Sequence, residues 1–328
     1  MSRLWLWLLL AVLSALGGVA GWLYMQTEAR HAPAQAVQIM IPHGASTIKI
    51  ARLLQQQDVI TSKYVFRLLM RFEAAPSSLR SGLYSFEQPA RMSQIIKRLQ
   101  RGDVMRFKVT VPEGLRTDEV LSLLARKTAT KLADWQRALK TLLPNDDEGR
   151  LLPETYQYNK PIQIKRMLNA MLQAQDKIMA QLATDAAEQQ RLRIMASIIE
   201  KETRLEKERT WVAAVIRNRL MRGMPLQMDP TVIYGLWKRD GHFSGNIRKK
   251  DLSTNTPWNT YTNRGLPPTP IGNPGAASLR AAAAPADVTY LFFVADGTGG
   301  HQFATTLAGH NANVARWLKI ERKKKRAK

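Results

Sequence analysis

The chain has 328 residues, of which 45% are hydrophobic, and it carries a formal net charge of +23. A chain of this length can bury one large core and a smaller one, so we expect two domains outside the cytoplasm. Cysteine is absent, which excludes disulfide frameworks, thiolate metal sites and cysteine nucleophiles.

The basic charge makes a polyanion an expected neighbour, and nucleic acid is the first class to consider. The basic residues are scattered, and no zinc-finger spacing or aromatic-interleaved RNA-binding motif accompanies them, so we expect no nucleic-acid partner. A terminal run is the exception, and we interpret residues 321–328 as a solvated, frayed tail, with contact to anionic lipid or wall polymer as the alternative. The run consists of Lys319, Arg322, Lys323, Lys324, Lys325, Arg326 and Lys328.

The first apolar segment, Leu4 to Met25, has no charged side chain, and its length matches the ~20 apolar residues that span a bilayer. A cleaved signal peptide is the alternative, but its apolar region is usually only ~7–15 residues long. Here Trp22 and Tyr24 close a longer run, as aromatic anchors do at a membrane interface. We therefore predict a cytoplasmic stub and a retained transmembrane anchor over residues 1–27. A small difference in flanking charge favours a cytoplasmic N-terminus.

The pattern in residues 36–108 predicts a small module with the order strand, helix, helix, strand, followed by another helix. The strands are expected at Val37–Ile41 and Tyr84–Phe86, and the helices at Ala45–Gln57, Ser62–Phe72 and Met92–Arg101. This order resembles a LysM-like glycan-binding module, although no strong residue motif accompanies it. A plain spacer domain explains the pattern equally well.

Residues 109–320 are predicted to form one larger domain, entered through a strand at Phe107–Val111. Helices are expected at Thr117–Lys127, Leu132–Leu143 and Ile164–Ala183, and a hairpin at Thr289–Ala295 and His301–Thr306. The fold class is therefore α+β, with an N-terminal transmembrane helix, a small LysM-like α/β module and a larger mixed α+β domain.

The segment Arg191–Thr203 predicts a largely buried helix that ends in two carboxylates. Its apolar face is formed by Leu192, Met195, Ile198 and Ile199. At about 100° per residue, Glu202 lies on this face, whereas Glu200 projects away on the side of Arg193. A carboxylate at the end of an apolar face loses hydration, which raises its pKa as a general acid requires. Glu202 is the candidate acid on this argument, and a surface glutamate paired with Lys or Arg is the alternative.

Residues 196–203, Ala-Ser-Ile-Ile-Glu-Lys-Glu-Thr, resemble the catalytic helix of the YceG-like family of endolytic murein transglycosylases. They also resemble the end of the catalytic helix in lysozyme-like lytic transglycosylases. Further blocks follow in the family's order: Glu148–Tyr156, Val215–Leu220, Leu226–Gly235, Asn259–Tyr261, Gly265–Ile271, Tyr290–Gly297 and Gly299–Phe303. One position departs from the pattern, because the family usually has Asp where this chain has Glu154, whose carboxylate has a longer reach.

The resemblance implies an enzyme that cuts nascent peptidoglycan glycan strands with Glu202 as its single catalytic acid/base. Glu202 would protonate the glycosidic oxygen between N-acetylmuramic acid and N-acetylglucosamine, and then accept the muramyl C6 hydroxyl proton, leaving a 1,6-anhydro end. No metal or organic cofactor is needed for this reaction. The implied setting is the inner membrane, crossed once, with the catalytic domain in the periplasm beside peptidoglycan synthases, where cleavage terminates strand elongation.

The resemblance also implies residues that bind the substrate. Tyr156 could stack on a sugar ring face, and a set of polar residues could hydrogen-bond hydroxyls and acetamides. This set is Asn218, Asp229, Thr231, Tyr234, Asn259, Tyr261 and His301. Each has a structural alternative: Asn218 could fix helix packing, and Asp229 with Pro230 could start a helix.

Two other function classes remain open. An anchored glycan-binding scaffold with no catalytic activity would not need Glu202. A serine protease would use Ser197 and Lys201, one helical turn apart, but both fall outside the face that holds Glu202. A zinc hydrolase is disfavoured, because no metal-ligand spacing links the histidines. These are His31, His43, His242, His301 and His310.

Overall fold

The computed structural model of the chain describes residues 2–72, 79–145, 148–243 and 245–326. The chain divides into two compact units: residues 1–108 with 157–163, and residues 109–156 with 164–328. Met1 and residues 327–328, which belong to the predicted cytoplasmic stub and basic tail, lie outside the described residues.

The first unit contains the predicted apolar segment in its first helix. Its elements are α1 (Ser2–Glu28), β1 (Val37–Ile41), α2 (Thr47–Gln56), α3 (Lys63–Phe72), β2 (Gly82–Phe86) and α4 (Met92–Arg101). Among the described residues, Trp5–Glu28 is the one helical segment long and apolar enough to cross a membrane, with a mean hydropathy of 2.0. By length and composition, α1 can therefore serve as a membrane anchor.

The two strands of the first unit pair in antiparallel fashion, with Val37 opposite Phe86 and Ile41 opposite Gly82. Helix α2 begins after Ser46, whose hydroxyl accepts the N–H of Lys49. The strands and α2 to α4 enclose a small core that includes Ile39, Leu54, Phe66, Tyr84 and Leu99. The strand-helix-helix-strand order expected from the sequence is the order found.

A second two-stranded sheet is formed by β3 (Arg106–Thr110) and β4 (Thr155–Asn159). The chain leaves the first unit after Lys108, and residues 157–163 belong to that unit again. The predicted larger domain, residues 109–320, includes residues 157–163. The local sequence pattern does not show with which distant strand a segment pairs. The sequence therefore does not predict that residues 157–163 belong to the first unit.

The second unit is mixed α+β and mainly helical. Its helices are α5 (Thr117–Thr128), α6 (Leu132–Leu142), α7 (Ile164–Leu182), α8 (Ala186–Glu202), α9 (Glu206–Met221), α10 (Asp229–Asp240), α11 (Lys249–Leu252), α12 (Ala276–Ala283) and α13 (Leu307–Arg326). The predicted hairpin is present as β5 (Phe292–Ala295) and β6 (His301–Ala304), with Ala295 opposite His301. In its turn, Asp296 accepts the N–H groups of Thr298 and Gly300.

Helix α13 continues to Arg326, so residues 321–326 are helical where the sequence suggested a frayed tail. The helix packs against both strands of the hairpin. Near its end, Lys324 donates to the carbonyl of Gly297 and forms an ion pair with Glu321. These tertiary contacts, which no local charge pattern specifies, explain the added helical turn.

Candidate active site

Helix α8 carries both candidate carboxylates. It begins after Asp185, whose side chain accepts the N–H of Glu188 at 2.8 Å. Every side chain from Leu192 to Ile199 is buried, because α9, α10 and α12 all pack against this helix. The helix ends at Glu202, and the N–H of Thr203 donates to the carbonyl of Ile199. After the buried stretch that ends at Ile199, this C-terminal turn is again partly exposed.

Glu202 is partly exposed at the end of the enclosed helix. Its carboxyl group makes no hydrogen bond or ion pair with any described residue. Burial raises its pKa to about 8, the carboxylate of Asp229 adds to the increase, and Arg219 opposes it. The group is therefore largely protonated at neutral pH and is not committed to a partner in the protein.

Asp229, whose charge acts on Glu202, is hydrogen-bonded to Tyr261. Asp229 begins α10, with Pro230 after it, as the sequence alternative expected. The hydroxyl of Tyr261 donates to Asp229 Oδ1 at 2.6 Å. Burial, and then the bond to Asp229, raise the pKa of Tyr261, so the phenol keeps its proton.

Arg219, on α9, is a buried cation that the sequence analysis did not single out. It is 7% exposed, and its guanidinium donates to the carbonyls of Leu291 at 2.7 Å and Leu226 at 2.8 Å. Burial lowers its pKa, while Tyr261 and Glu202 oppose that change, and an arginine stays charged. The sequence signal that could have identified Arg219 is its place three residues after the apolar run 212–216 in the same helix.

Three of the predicted sugar-binding residues are engaged inside the protein. Asn218 donates to two carbonyls just before β5, at 2.8 and 2.9 Å. Thr231, fully buried, donates to a carbonyl at the start of α10 at 2.6 Å. Asn259, also fully buried, donates to two carbonyls at and after the end of α11, at 3.0 and 2.7 Å. Substrate contact by these side chains stays a prediction, and the observed bonds do not support it.

Two predicted tyrosines are held by acceptors within the second unit. The hydroxyl of Tyr234, which is 4% exposed, donates to Glu148 Oε2 at 3.0 Å. The other oxygen of Glu148 accepts the N–H and the hydroxyl of Thr117. The hydroxyl of Tyr156 donates to the carbonyl of Leu152 at 2.7 Å. The ring of Tyr156 remains partly exposed.

His301, at the start of β6, is bound to Glu208 of α9. Its backbone N–H donates to Glu208 Oε1 at 2.9 Å, and its Nδ1 lies 2.8 Å from Oε2. The hydroxyl of Thr203 also donates to Oε2, at 2.9 Å. Burial acts to raise the pKa of Glu208, but the hydrogen bonds from His301 and Thr203 hold it below its usual value. A carboxylate therefore fixes the orientation of this histidine.

Glu200, predicted to project away from the apolar face on the side of Arg193, nevertheless has a buried side chain. Its side chain is only 5% exposed, and its Oε2 accepts the N–H of Gly275 at 2.9 Å. Arg209 lies 3.7 Å from Glu200 and 3.5 Å from Glu113. Burial, and then the charge of Glu200, raise the pKa of Glu113. More than one side of α8 is covered, because α12, which begins after Gly275, also packs against it.

The serine–lysine alternative gains no support from the structure. Ser197 is 1% exposed, and its hydroxyl donates to the carbonyl of Ile194 at 2.7 Å and accepts the N–H of Ile271 at 3.0 Å. The hydroxyl therefore ties α8 to the segment before α12. Burial lowers the pKa of Lys201, but no hydrogen bond joins it to a described residue.

A cavity of about 530 Å³ is lined by residues that are next to Glu202 and Asp229 in the sequence. Lys201 precedes Glu202 and Pro230 follows Asp229, and both line the cavity together with Trp237. The volume lies within the range of about 300–1,000 Å³ that is typical of small-molecule sites. The second unit thus offers a concave surface close in sequence to the candidate acid.

Comparison with known proteins shows the family of the chain. Residues 39–316 match the model of the YceG-like family. The endolytic murein transglycosylase of Bacillus subtilis is 32% identical over 88% of this chain and 86% of its own length. That of Streptococcus pneumoniae strain D39 is 26% identical over 93% of this chain, which spans 63% of that relative. A crystal structure of a YceG-like protein from Listeria monocytogenes, 30% identical, superposes with a TM-score of 0.55, covering 85% of this chain and 99% of that one.

A mixed α+β unit with a protonated carboxyl group at the end of an enclosed helix is the arrangement expected of an enzyme that uses general acid catalysis. The chain belongs to the YceG-like family. The resemblance drawn from the ordered sequence blocks is confirmed.

Proposed function

We propose that this chain is an endolytic peptidoglycan lytic transglycosylase in which Glu202 is the single acid/base. The observation that carries the proposal is the state of Glu202, whose carboxyl group has a pKa raised to about 8 and no partner among the described residues. The names of the relatives from Bacillus subtilis and Streptococcus pneumoniae support the substrate class and the reaction.

In the proposed reaction, Glu202 donates its proton to the oxygen that links N-acetylmuramic acid to N-acetylglucosamine, and the bond from that oxygen to muramyl C1 breaks. The muramyl C6 hydroxyl then attacks C1, and the Glu202 carboxylate takes the hydroxyl proton. One bond breaks and one forms, and the proton returns to Glu202 without consumption of water. The products are an N-acetylglucosamine end and a 1,6-anhydromuramyl end.

The neighbours of Glu202 fit the two halves of this cycle. The charge of Asp229 favours the protonated acid before cleavage, and the charge of Arg219 favours the carboxylate that exists between the two proton transfers. Tyr261 holds the Asp229 carboxylate through its hydroxyl. These three are positioning residues in the proposal, and Glu202 is the catalytic one.

The proposal extends to the setting of the enzyme. Helix α1 supports a single-pass anchor in the inner membrane, with the second unit in the periplasm. An anchored site acts on strands near the bilayer, so internal cuts would shorten nascent glycan and end its elongation beside the synthases. The strand-helix-helix-strand order of the first unit supports a LysM-like glycan-binding role. The position of Glu202 at the end of α8 supports a lysozyme-like catalytic helix.

The test is the substitution Glu202→Gln, which keeps the size of the side chain but removes its transferable proton. We expect release of anhydromuramyl ends from purified sacculi to fall by at least about 10²–10⁴-fold, because the same group serves as acid and base. Mass spectrometry of the digest gives both the amount and the nature of the ends.

The matched control is Glu206→Gln, since Glu206 is an exposed glutamate in the first turn of α9. It should digest sacculi at the rate of the parent chain. Normal activity of Glu202→Gln would refute the assignment of the acid. Reducing ends in place of anhydromuramyl ends would reassign the reaction as hydrolysis, and an inert parent chain would favour the scaffold alternative.

A further inference from the structure

A second cavity, of about 450 Å³, is lined by the first turns of α9, by Tyr290 and by the β5–β6 hairpin. It shares no lining residue with the cavity beside Lys201. The proposed reaction uses none of its side chains. Its volume also falls in the range of about 300–1,000 Å³ found for small-molecule sites.

Three aromatic rings form one side of this cavity. Trp211 meets Phe303 edge-on, with ring centroids 5.3 Å apart at 75°, and Tyr290 lies 5.4 Å from Phe303. Trp211 and Tyr290 also meet edge-on at 6.3 Å. All three rings are partly exposed. Because each ring contacts the other two, their orientations are mutually restrained, and they present a preformed apolar surface.

The carboxylates of the cavity are already satisfied by the protein. Glu208 accepts three hydrogen bonds, from Thr203 and from two groups of His301. Asp296 Oδ1 accepts the N–H groups of Thr298 and Gly300 within its own turn. Neither carboxylate therefore has to recruit a cation to the cavity.

Three polar groups at this aromatic surface have no such partner. The indole N–H of Trp211, the hydroxyl of Tyr290 and Nε2 of His301 make no hydrogen bond with any described residue. Since the Glu208 carboxylate can only accept, His301 Nδ1 donates to it, and Nε2 is then the acceptor of the neutral form of the ring. The cavity thus combines a donor, an acceptor and a hydroxyl that can do either, each carried by an aromatic ring.

We propose that this cavity is a saccharide subsite that binds one sugar residue of the peptidoglycan strand, an inference that rests on the proposed function. A sugar ring offers a C–H face to aromatic surface and hydroxyl and acetamide groups to donors and acceptors at its edge. Trp211, Tyr290 and His301 supply that combination. Lys207 is a cation at the cavity, so a carboxylate of the stem peptide is the alternative occupant that the test must separate.

The subsite connects to the catalytic helix through hydrogen bonds. His301 binds Glu208, Glu208 binds the hydroxyl of Thr203, and Thr203 is the residue after Glu202. A sugar held on His301 is therefore linked to the segment that ends α8. In this arrangement, occupation of the subsite positions the strand relative to the acid, and Trp211, Tyr290 and His301 are binding residues.

The test measures binding of peptide-free glycan strands, prepared from sacculi, to the full chain carrying Glu202→Gln. Tyr290→Phe removes one oxygen that has no internal partner, and His301→Ala removes the acceptor. Each should weaken binding by about 2- to 10-fold, the equivalent of one hydrogen bond. Gln181→Ala is the control, because Gln181 is exposed near the end of α7 in the second unit and lines neither cavity, and it should not change the affinity.

Turnover gives a second readout with Glu202 intact. Tyr290→Phe should raise KM without changing the anhydromuramyl product. Unchanged affinity in both variants, or no binding by the parent chain, would overturn the subsite. The same measurement is made with strands that still carry stem peptides. If the two variants weaken binding of those strands only, the cavity is assigned to peptide instead. Residual turnover by Glu202→Gln would contradict the catalytic proposal separately, since the binding measurement does not depend on cleavage.

Discussion

At Glu202, burial and the carboxylate of Asp229 disfavour the charged form, while Arg219 favours it, and the result is a pKa of about 8. The side chain remains partly exposed, so the group has lost much of its hydration without being closed off from a ligand. A carboxyl group in this state is protonated at neutral pH and still ionises at moderate cost. A residue that must give up a proton and then take one back requires both properties.

The raised pKa of Glu202 predicts the alkaline limb of the activity profile. The active form is the protonated acid, so kcat/KM should fall as the pH rises through about 8. Asp229→Asn removes the charge that helps to raise this pKa, while its amide oxygen can still accept the bond from Tyr261. The limb should therefore move to lower pH. Release of anhydromuramyl ends, measured across the pH range, gives the result.

The control for this shift is Asp240→Asn, at the exposed opposite end of α10, where the carboxylate pairs with Arg239. Its profile should match that of the parent chain. A limb that stays in place in Asp229→Asn, or that moves to higher pH, would show that Asp229 does not set the pKa of Glu202.

Glu200 is expected to act on stability and not on catalysis. Glu200→Ala leaves the N–H of Gly275 without its acceptor and removes a neighbour of Arg209, so it should lower the free energy of unfolding by about 1–3 kcal/mol. Glu200→Gln retains an acceptor and should lose less. Denaturant unfolding measures both changes.

Turnover per folded molecule should remain that of the parent chain in both Glu200 variants. Loss of activity in a fully folded Glu200→Gln protein would make Glu200, and not Glu202, the candidate acid.

At the scale of the element, the sequence predicts α8, its end at the two carboxylates and the raised pKa of Glu202. It does not predict the burial of Glu200 or of Arg193, which is 5% exposed and donates to Gln175 on α7. A helical wheel assumes one buried face. Here α12, distant in sequence, covers another side, and the local pattern carries no information about that packing.

The same limit applies to the site residues. Asp229 and Tyr261 were among the predicted residues, and the structure brings both to Glu202. Asn218 and Asn259 lie in the same kind of sequence block, yet they bind backbone carbonyls. An amide side chain can hydrogen-bond the backbone of a loop or the groups of a ligand equally well, so its sequence context alone cannot separate the two roles. Arg219 was missed because one of its carbonyl acceptors, that of Leu291, comes from a segment 72 residues away.

Helix α10 contains a glycine whose role is close packing. An added Cβ at Gly235 would lie 2.2 Å from the hydroxyl of Thr256. Alanine has the better helix propensity by about 1 kcal/mol, but we expect Gly235→Ala to destabilise the fold by about 1–3 kcal/mol because of this overlap. Thermal and denaturant unfolding would measure the loss.

The second substitution Thr256→Ala removes the overlapping hydroxyl, which is buried without a hydrogen-bond partner among the described residues. The double variant should recover part of the stability that Gly235→Ala loses, as a double-mutant cycle would reveal. Additive effects of the two changes would argue against close packing as the reason for the glycine.

For the whole molecule, α1 predicts that the mature protein keeps its N-terminal apolar segment. The length of the run and its aromatic end favour retention, so the intact chain should fractionate with the inner membrane. Residues after Gln26 should be accessible to protease added to the periplasmic side. Intact mass and N-terminal sequencing check the first point, and a mature protein that begins after Met25 would refute it.

The first unit is discontinuous, since residues 157–163 belong to it although they follow residues 109–156 of the second unit. Within the first unit, the carbonyl of Lys160 accepts the N–H of Leu83 at 3.1 Å. A gene that acquired a foreign N-terminal unit by one crossover at the codon for Val109 would keep this returning segment but replace the strand that carries Leu83, whose N–H the segment binds. Exchange of the first unit alone, with residues 109–156 kept, would need three crossovers, after residues 108, 156 and 163, which ties its evolution to that of the second unit.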